Sequence, residues 1–125
     1  MSAPVFVLLS LAGGVGAALR LVVDSLIRAA TRTHFPVATV TINLVGSFLL
    51  GLLAGAAAGH SIDDWYAVLG TGLLGGFTTF STASVETVRL AIGAPRGHAA
   101  LNVFGTLLGA FALAWLGILL GSARG

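Results

Sequence analysis

Thr78, Thr79, Ser81, Thr82, Ser84 and Thr87 put six hydroxyl groups into one ten-residue stretch, directly after the pair Gly75-Gly76. They sit in Trp65–Val85, a charge-free segment long enough to cross a bilayer. Adjacent glycines followed by hydroxyl residues weaken a helix. Backbone groups freed inside lipid are costly, so they must meet protein, water or an ion. Interrupted helices at mid-membrane are a way of building ion sites. The carbonyls of Gly75 and Thr78 could then coordinate a small hard cation, which takes oxygen ligands. The competing reading of the hydroxyls is a bond back to their own helix carbonyls.

Asn43 adds an amide in a second apolar segment, with Thr39 and Ser47 one turn either side on the same face. An amide at that depth needs a partner, either a passing ion or a neighbouring helix. Phe80 precedes Ser81, and a phenyl ring has a positive edge that tolerates an anion; ordinary packing is the other reading. Arg20 could draw an anion to a pore mouth, or pair with Asp24 four residues on. His34, His60 and His98 have no metal-binding spacing, and no nucleophile or metalloprotease motif occurs, so the chain reads as a non-enzyme.

The elements that must position these groups are four apolar helices. The chain has 125 residues, 57% hydrophobic and 8% charged, with mean hydropathy +1.04. A soluble domain needs far more charge at its surface. The spacing predicts an all-α membrane domain over 1–125, with spans near 4–27, 35–58, 65–92 and 99–121 and the third broken at mid-membrane. Trp65 and Tyr66 read as interfacial anchors. The N-terminus lacks the basic stretch of a signal peptide, so Val5 onward reads as a mature first span. Glycines four apart, at 51/55/59, 105/109 and 117/121, predict close helix packing and subunit contacts.

Six arginines, no lysine and four acids give a formal charge of +2 without a basic run, which does not imply nucleic acid. Cysteine is absent, which removes disulfides and thiolate sites. Arg28, Arg32, Arg89 and Arg96 fall on one side of the predicted spans, with Arg20 near. Asp63, Asp64 and Arg124 fall on the other. The positive-inside rule then places both termini outside the cytoplasm. No span carries a central Asp, Glu, Lys or His; Glu86 lies toward the end of the third. Proton-coupled carriers need such a group, and cation pores favour acidic rings. Neutral donors suit an anion or a polar solute.

These segments resemble the CrcB/Fluc family of fluoride channels along nearly the whole chain. Gly13-Gly14-Val15-Gly16-Ala17-Ala18-Leu19-Arg20 is similar to its first-span motif, and Thr39-Val40-Thr41-Ile42-Asn43-Leu44-Val45-Gly46-Ser47-Phe48 to its second. Gly75-Gly76-Phe77-Thr78-Thr79-Phe80-Ser81-Thr82 resembles its signature third-span break; Asn102 to Gly109 matches the fourth span less fully. The resemblance implies an antiparallel dimer with two pores in the bacterial plasma membrane. It implies passive, selective export of cytoplasmic fluoride, conferring fluoride resistance. It also implies a structural, untransported sodium ion held by the carbonyls of Gly75 and Thr78, and pore positions at Asn43, Phe80, Ser81 and Thr82, with Arg20 in the vestibule.

One departure is Ala83, where the family commonly carries a second pore phenylalanine. Another is the arginine bias, since an antiparallel homodimer needs the same chain inserted both ways. Together they suggest a heterodimer with an oppositely oriented paralogous subunit. The alternative functions are a small four-span multidrug or solute carrier, and a non-transporting assembly protein.

Overall fold

The computed structural model describes residues 2–31, 35–57, 66–93 and 97–123, and every regular element among them is helical. Helix α1 (Ala3–Ala30) begins at Ser2, whose hydroxyl accepts from the Val5 N–H, with Pro4 in the first turn where its missing N–H costs nothing. Helix α2 spans Val37–Ala57. Helix α3 has two parts, Ala67–Leu74 with π-type hydrogen bonding and Gly75–Phe77 with α-type. Helix α4 spans Ser81–Gly93. Helix α5 (His98–Ser122) follows Gly97, whose φ of 99° is a left-handed conformation that glycine adopts without steric penalty. Helices α1, α2 and α5 are long and apolar enough to cross a membrane.

Two glycine seams set the packing. Helix α2 lies along α5, and α1 along α3. A Cβ placed on Gly51 or Gly55 would stand 2.3 Å from the carbonyl oxygen of Ala114 or Ile118; on Gly117 it would stand 2.4 Å from that of Phe48. On Gly16 it would stand 2.0 Å from the Leu73 oxygen, and on Gly76 2.1 Å from that of Gly13. Backbones approach this closely only where the side chain is a hydrogen. The seams at 51/55 and 117/121 are thus contacts within one chain; Gly59 lies outside the described residues.

The core is correspondingly thin. Ile42 is the most enclosed large side chain, with Ala38, Leu74 and Leu90 also buried. Phe6, Leu11, Leu26, Phe104, Leu108, Phe111 and Trp115 are exposed. That much outward apolar area requires lipid or protein cover.

Helical backbone runs through Gly75 and Gly76 and ends at Phe77, so the glycine pair does not itself interrupt the helix. Thr78 is extended, with ψ 159°, and regular structure resumes at Ser81. Gly76 is used for contact with α1. The turn stops where the Thr78 hydroxyl and N–H both bond the Leu74 carbonyl, at 3.1 and 3.0 Å. Arg32, His34, Gly59, His60, Asp63, Asp64, Trp65, Arg96 and Arg124 lie outside the described residues, and with them the Trp65 anchor and most of the charge bias.

Candidate functional site

Where a helix ends, its last carbonyls lose their N–H partners and must find others. The connection 78–80 between α3 and α4 creates that requirement beside α2. Asn43 meets part of it. Its Nδ2 donates to the Thr79 carbonyl and its Oδ1 accepts from the Thr79 N–H, both at 2.9 Å. One amide thereby satisfies both backbone groups of one non-helical residue. Thr79 in turn starts α4: its hydroxyl accepts from the Thr82 N–H at 3.2 Å, as a helix cap does.

The remaining carbonyls divide sharply. Gly76 receives the Arg20 Nε–H at 3.4 Å. Among the described residues no hydrogen bond reaches the carbonyls of Gly75, Phe77 or Thr78. Gly75 and Thr78 both line a groove of about 980 Å³ between α2, α3, α4 and α5. Asn43, Ser47, Thr79 and Phe80 line it as well, and Phe80 is 86% exposed. Ala83 faces the same groove with only a methyl group.

The hydroxyls divide too. Thr78 donates to Leu74, Ser84 to Phe80 and Thr87 to Ala83, each to a carbonyl of its own helix run, and Thr79 donates to the Thr82 hydroxyl. Those four protons are committed locally, as side-chain hydroxyls in helices commonly are. Among the described residues no acceptor takes the Ser81 or Thr82 hydroxyl proton. Ser81 is exposed and Thr82 half-buried.

Arg20 does not pair with Asp24. Asp24 instead accepts from Arg28 Nε at 2.8 Å, which leaves Arg20 to turn toward α3. Both arginines are within reach of Asp24 along the helix. Arg28 also has Glu86 nearby, with Nη2 3.6 Å from Oε2, so the acidic pair gathers around it.

Two contacts escaped the sequence reading. The buried Thr39 hydroxyl donates to Glu86 Oε1, and Asn102 Nδ2 donates to the Thr87 hydroxyl at 2.7 Å. The sequence marked Thr39 in a polar stripe with Asn43 and Ser47, and Thr87 in the hydroxyl run, but spacing did not identify their partners. The stripe faces α4 and the connection before it. Thr39→Val is expected to lower folding stability by about 1–3 kcal/mol, because the Glu86 carboxylate loses its closest donor. A melting midpoint in detergent equal to the parent's would refute that role.

The chain is similar to known proteins along nearly its whole length. The family model described as CrcB-like protein, Camphor Resistance (CrcB) matches residues 7–118. The chain is 45% identical, over 97% of its length and 89% of the relative's, to a protein of Leifsonia xyli named fluoride-specific ion channel FluC 1. It is 46% identical to fluoride-specific ion channel FluC 2 of Cutibacterium acnes, over 90% of this chain and 93% of that one. It is 40% identical to fluoride-specific ion channel FluC of Thermus thermophilus, over 94% and 95%.

Proposed function

Because this chain belongs to the CrcB-like family, we propose that it is a subunit of a fluoride-selective channel. The channel lets cytoplasmic fluoride leave passively and so relieves fluoride toxicity. The observation that carries this reading is its 45% identity, across nearly the full chain, to a fluoride-specific ion channel. Nothing in these comparisons favours a multidrug carrier, and the family is not one of enzymes.

Fluoride is small and holds its water tightly, so a path must replace that water with donors. An amide nitrogen has two N–H groups, and Asn43 uses one on Thr79. Its second N–H and the uncommitted hydroxyls of Ser81 and Thr82 supply the donors. The exposed Phe80 edge adds weak positive potential. Phe80→Ile keeps an apolar side chain and removes that edge. Fluoride flux is expected to fall about fivefold, from the loss of about 1 kcal/mol of edge attraction. Folding should be untouched, because the ring is outside the core. Unchanged flux in liposomes would remove Phe80 from the path.

The groove is open among outward apolar side chains, which fits closure by a second subunit. We take that subunit to be antiparallel, giving two pores across a bacterial plasma membrane, with the connection 78–80 near mid-membrane. The carbonyls of Gly75 and Thr78 would hold a sodium ion; their lack of described donors suits them to an oxygen-ligated cation. Such an ion supplies fixed positive charge and braces the interface. The arginine bias of the sequence supports both termini lying outside and, with Ala83, a paralogous partner. The deciding assay is fluoride efflux from liposomes. Efflux only when a second, oppositely charged-biased subunit is co-purified supports the heterodimer. Efflux from this chain alone rejects it, and no efflux under either condition rejects the channel.

A further inference from the structure

Arg20 stands one turn beyond Gly16 on the face of α1 that carries Gly13. That face is pressed against α3 so closely that Gly13 and Gly16 contact the backbone at Leu73, Gly76 and Phe77. The seam therefore carries Arg20 to the level where α3 ends, and its Nε–H reaches the Gly76 carbonyl, 56 residues away in sequence, at 3.4 Å. Gly76 would bond the N–H of residue 80 if the helix continued. The extended Thr78 removes that option.

Four carbonyls of α3 face this situation: Leu74, Gly75, Gly76 and Phe77. Thr78 satisfies Leu74, and Arg20 satisfies Gly76. We infer that Arg20 is a positioning residue of the α3 terminus: its Nε–H grips the Gly76 carbonyl and fixes which main-chain oxygens stay open to the groove. A guanidinium suits this, since it is always charged and presents donors in a rigid plane. A cation at the end of a helix also opposes the partial negative charge of its free carbonyls. The guanidinium thus does structural duty at the break, apart from any attraction it exerts on anions.

Side-chain lengths separate the two duties. Gln places Nε2 at the same atom position as Arg Nε, so Arg20→Gln keeps the donor and drops the charge. Arg20→Lys keeps the charge and puts a methylene where the donor was. Arg20→Met removes both. Amide hydrogen exchange of the full chain in lipid nanodiscs reads the hold on the connection directly, at the paired N–H groups of Thr78 and Thr79.

Exchange is expected to quicken about tenfold or more in Arg20→Met and Arg20→Lys, and to stay within about threefold of the parent in Arg20→Gln, since a hydrogen bond from a charged donor is stronger than a neutral one but either satisfies the carbonyl. Fluoride flux from liposomes should fall further in Arg20→Met than in Arg20→Gln, since both lose the charge and only Arg20→Gln keeps the donor. The flux ranking rests on the fluoride-channel reading; the exchange ranking does not. Exchange unchanged in Arg20→Met overturns the proposal. So does a ranking in which Arg20→Lys matches the parent in both readouts while Arg20→Gln fails. If the parent passes no fluoride, the channel reading fails and the exchange ranking still decides the role of Arg20.

Discussion

Asn43→Asp is expected to abolish measurable fluoride flux, with a fall of at least about a hundredfold. The substitution is nearly isosteric, which isolates its chemistry. Asn43 donates one hydrogen bond to Thr79 and accepts another. A carboxylate can still accept from the Thr79 N–H but has nothing to give the Thr79 carbonyl. It places a negative oxygen where a donor stood 2.9 Å from that carbonyl. The unpaired, opposed groups cost about 1–3 kcal/mol of local stability. The new charge also repels an arriving anion at the same spot, and each 1.4 kcal/mol of repulsion is about tenfold. The two effects act on one path and both lower flux. Efflux from liposomes measures it, and rescue of a fluoride-sensitive bacterium gives an independent readout. Ser47→Ala, one turn further along the same groove face, is expected to retain at least about half the parent flux. Substantial efflux from Asn43→Asp would mean that Asn43 neither holds the connection nor meets the ion.

Gly16→Val is expected to prevent stable folding of the helix pair α1–α3. A single Cβ at this position already falls 2.0 Å from the Leu73 oxygen and 2.9 Å from the Phe77 nitrogen. Both are backbone atoms, so no side-chain rotation relieves the clash. Valine adds two further methyls, and overpacking a tight site costs about 1–3 kcal/mol even when neighbours can yield. The chain has few buried apolar residues to absorb such a loss. Separation of α1 from α3 would also withdraw Arg20 from Gly76. Yield of monodisperse protein and its melting midpoint measure the effect. Gly14→Ala is the internal comparison, because nothing lies within 4 Å of a Cβ there; it should stay within about 0.5 kcal/mol of the parent. Equal behaviour of the two variants would show that the seam does not hold the helices.

The two substitutions probe different kinds of glycine-motif information. In Gly13-Gly14-Val15-Gly16, the glycines look alike in sequence, yet Gly16 is locked against α3 and Gly14 is open. Likewise Gly75-Gly76 advertised an interruption, and the chain turns extended only at Thr78. Glycine weakens a helix but does not end it when a neighbouring helix uses the vacant side-chain space. The hydroxyl run was equally ambiguous: four of its six protons close local bonds, and only Ser81 and Thr82 keep theirs among the described residues.

By itself, the sequence determined that this is an all-helical membrane chain, that polar chemistry clusters after Gly75-Gly76 and around Asn43, and that it carries no nucleophile-elbow or metalloprotease motif. Those conclusions follow from hydropathy, residue type and short-range spacing, which act within one helix. Tertiary structure alone decided that Asn43 clamps Thr79, that Arg20 passes over Asp24 for Gly76, and that Thr39 meets Glu86. Each of those bonds joins residues 36 to 56 positions apart. Which polar group meets which depends on the rotation of packed helices about their axes. That rotation is set by the glycine seams, where contact between backbones leaves no slack; glycine spacing marks candidate seams but not which helix each one meets.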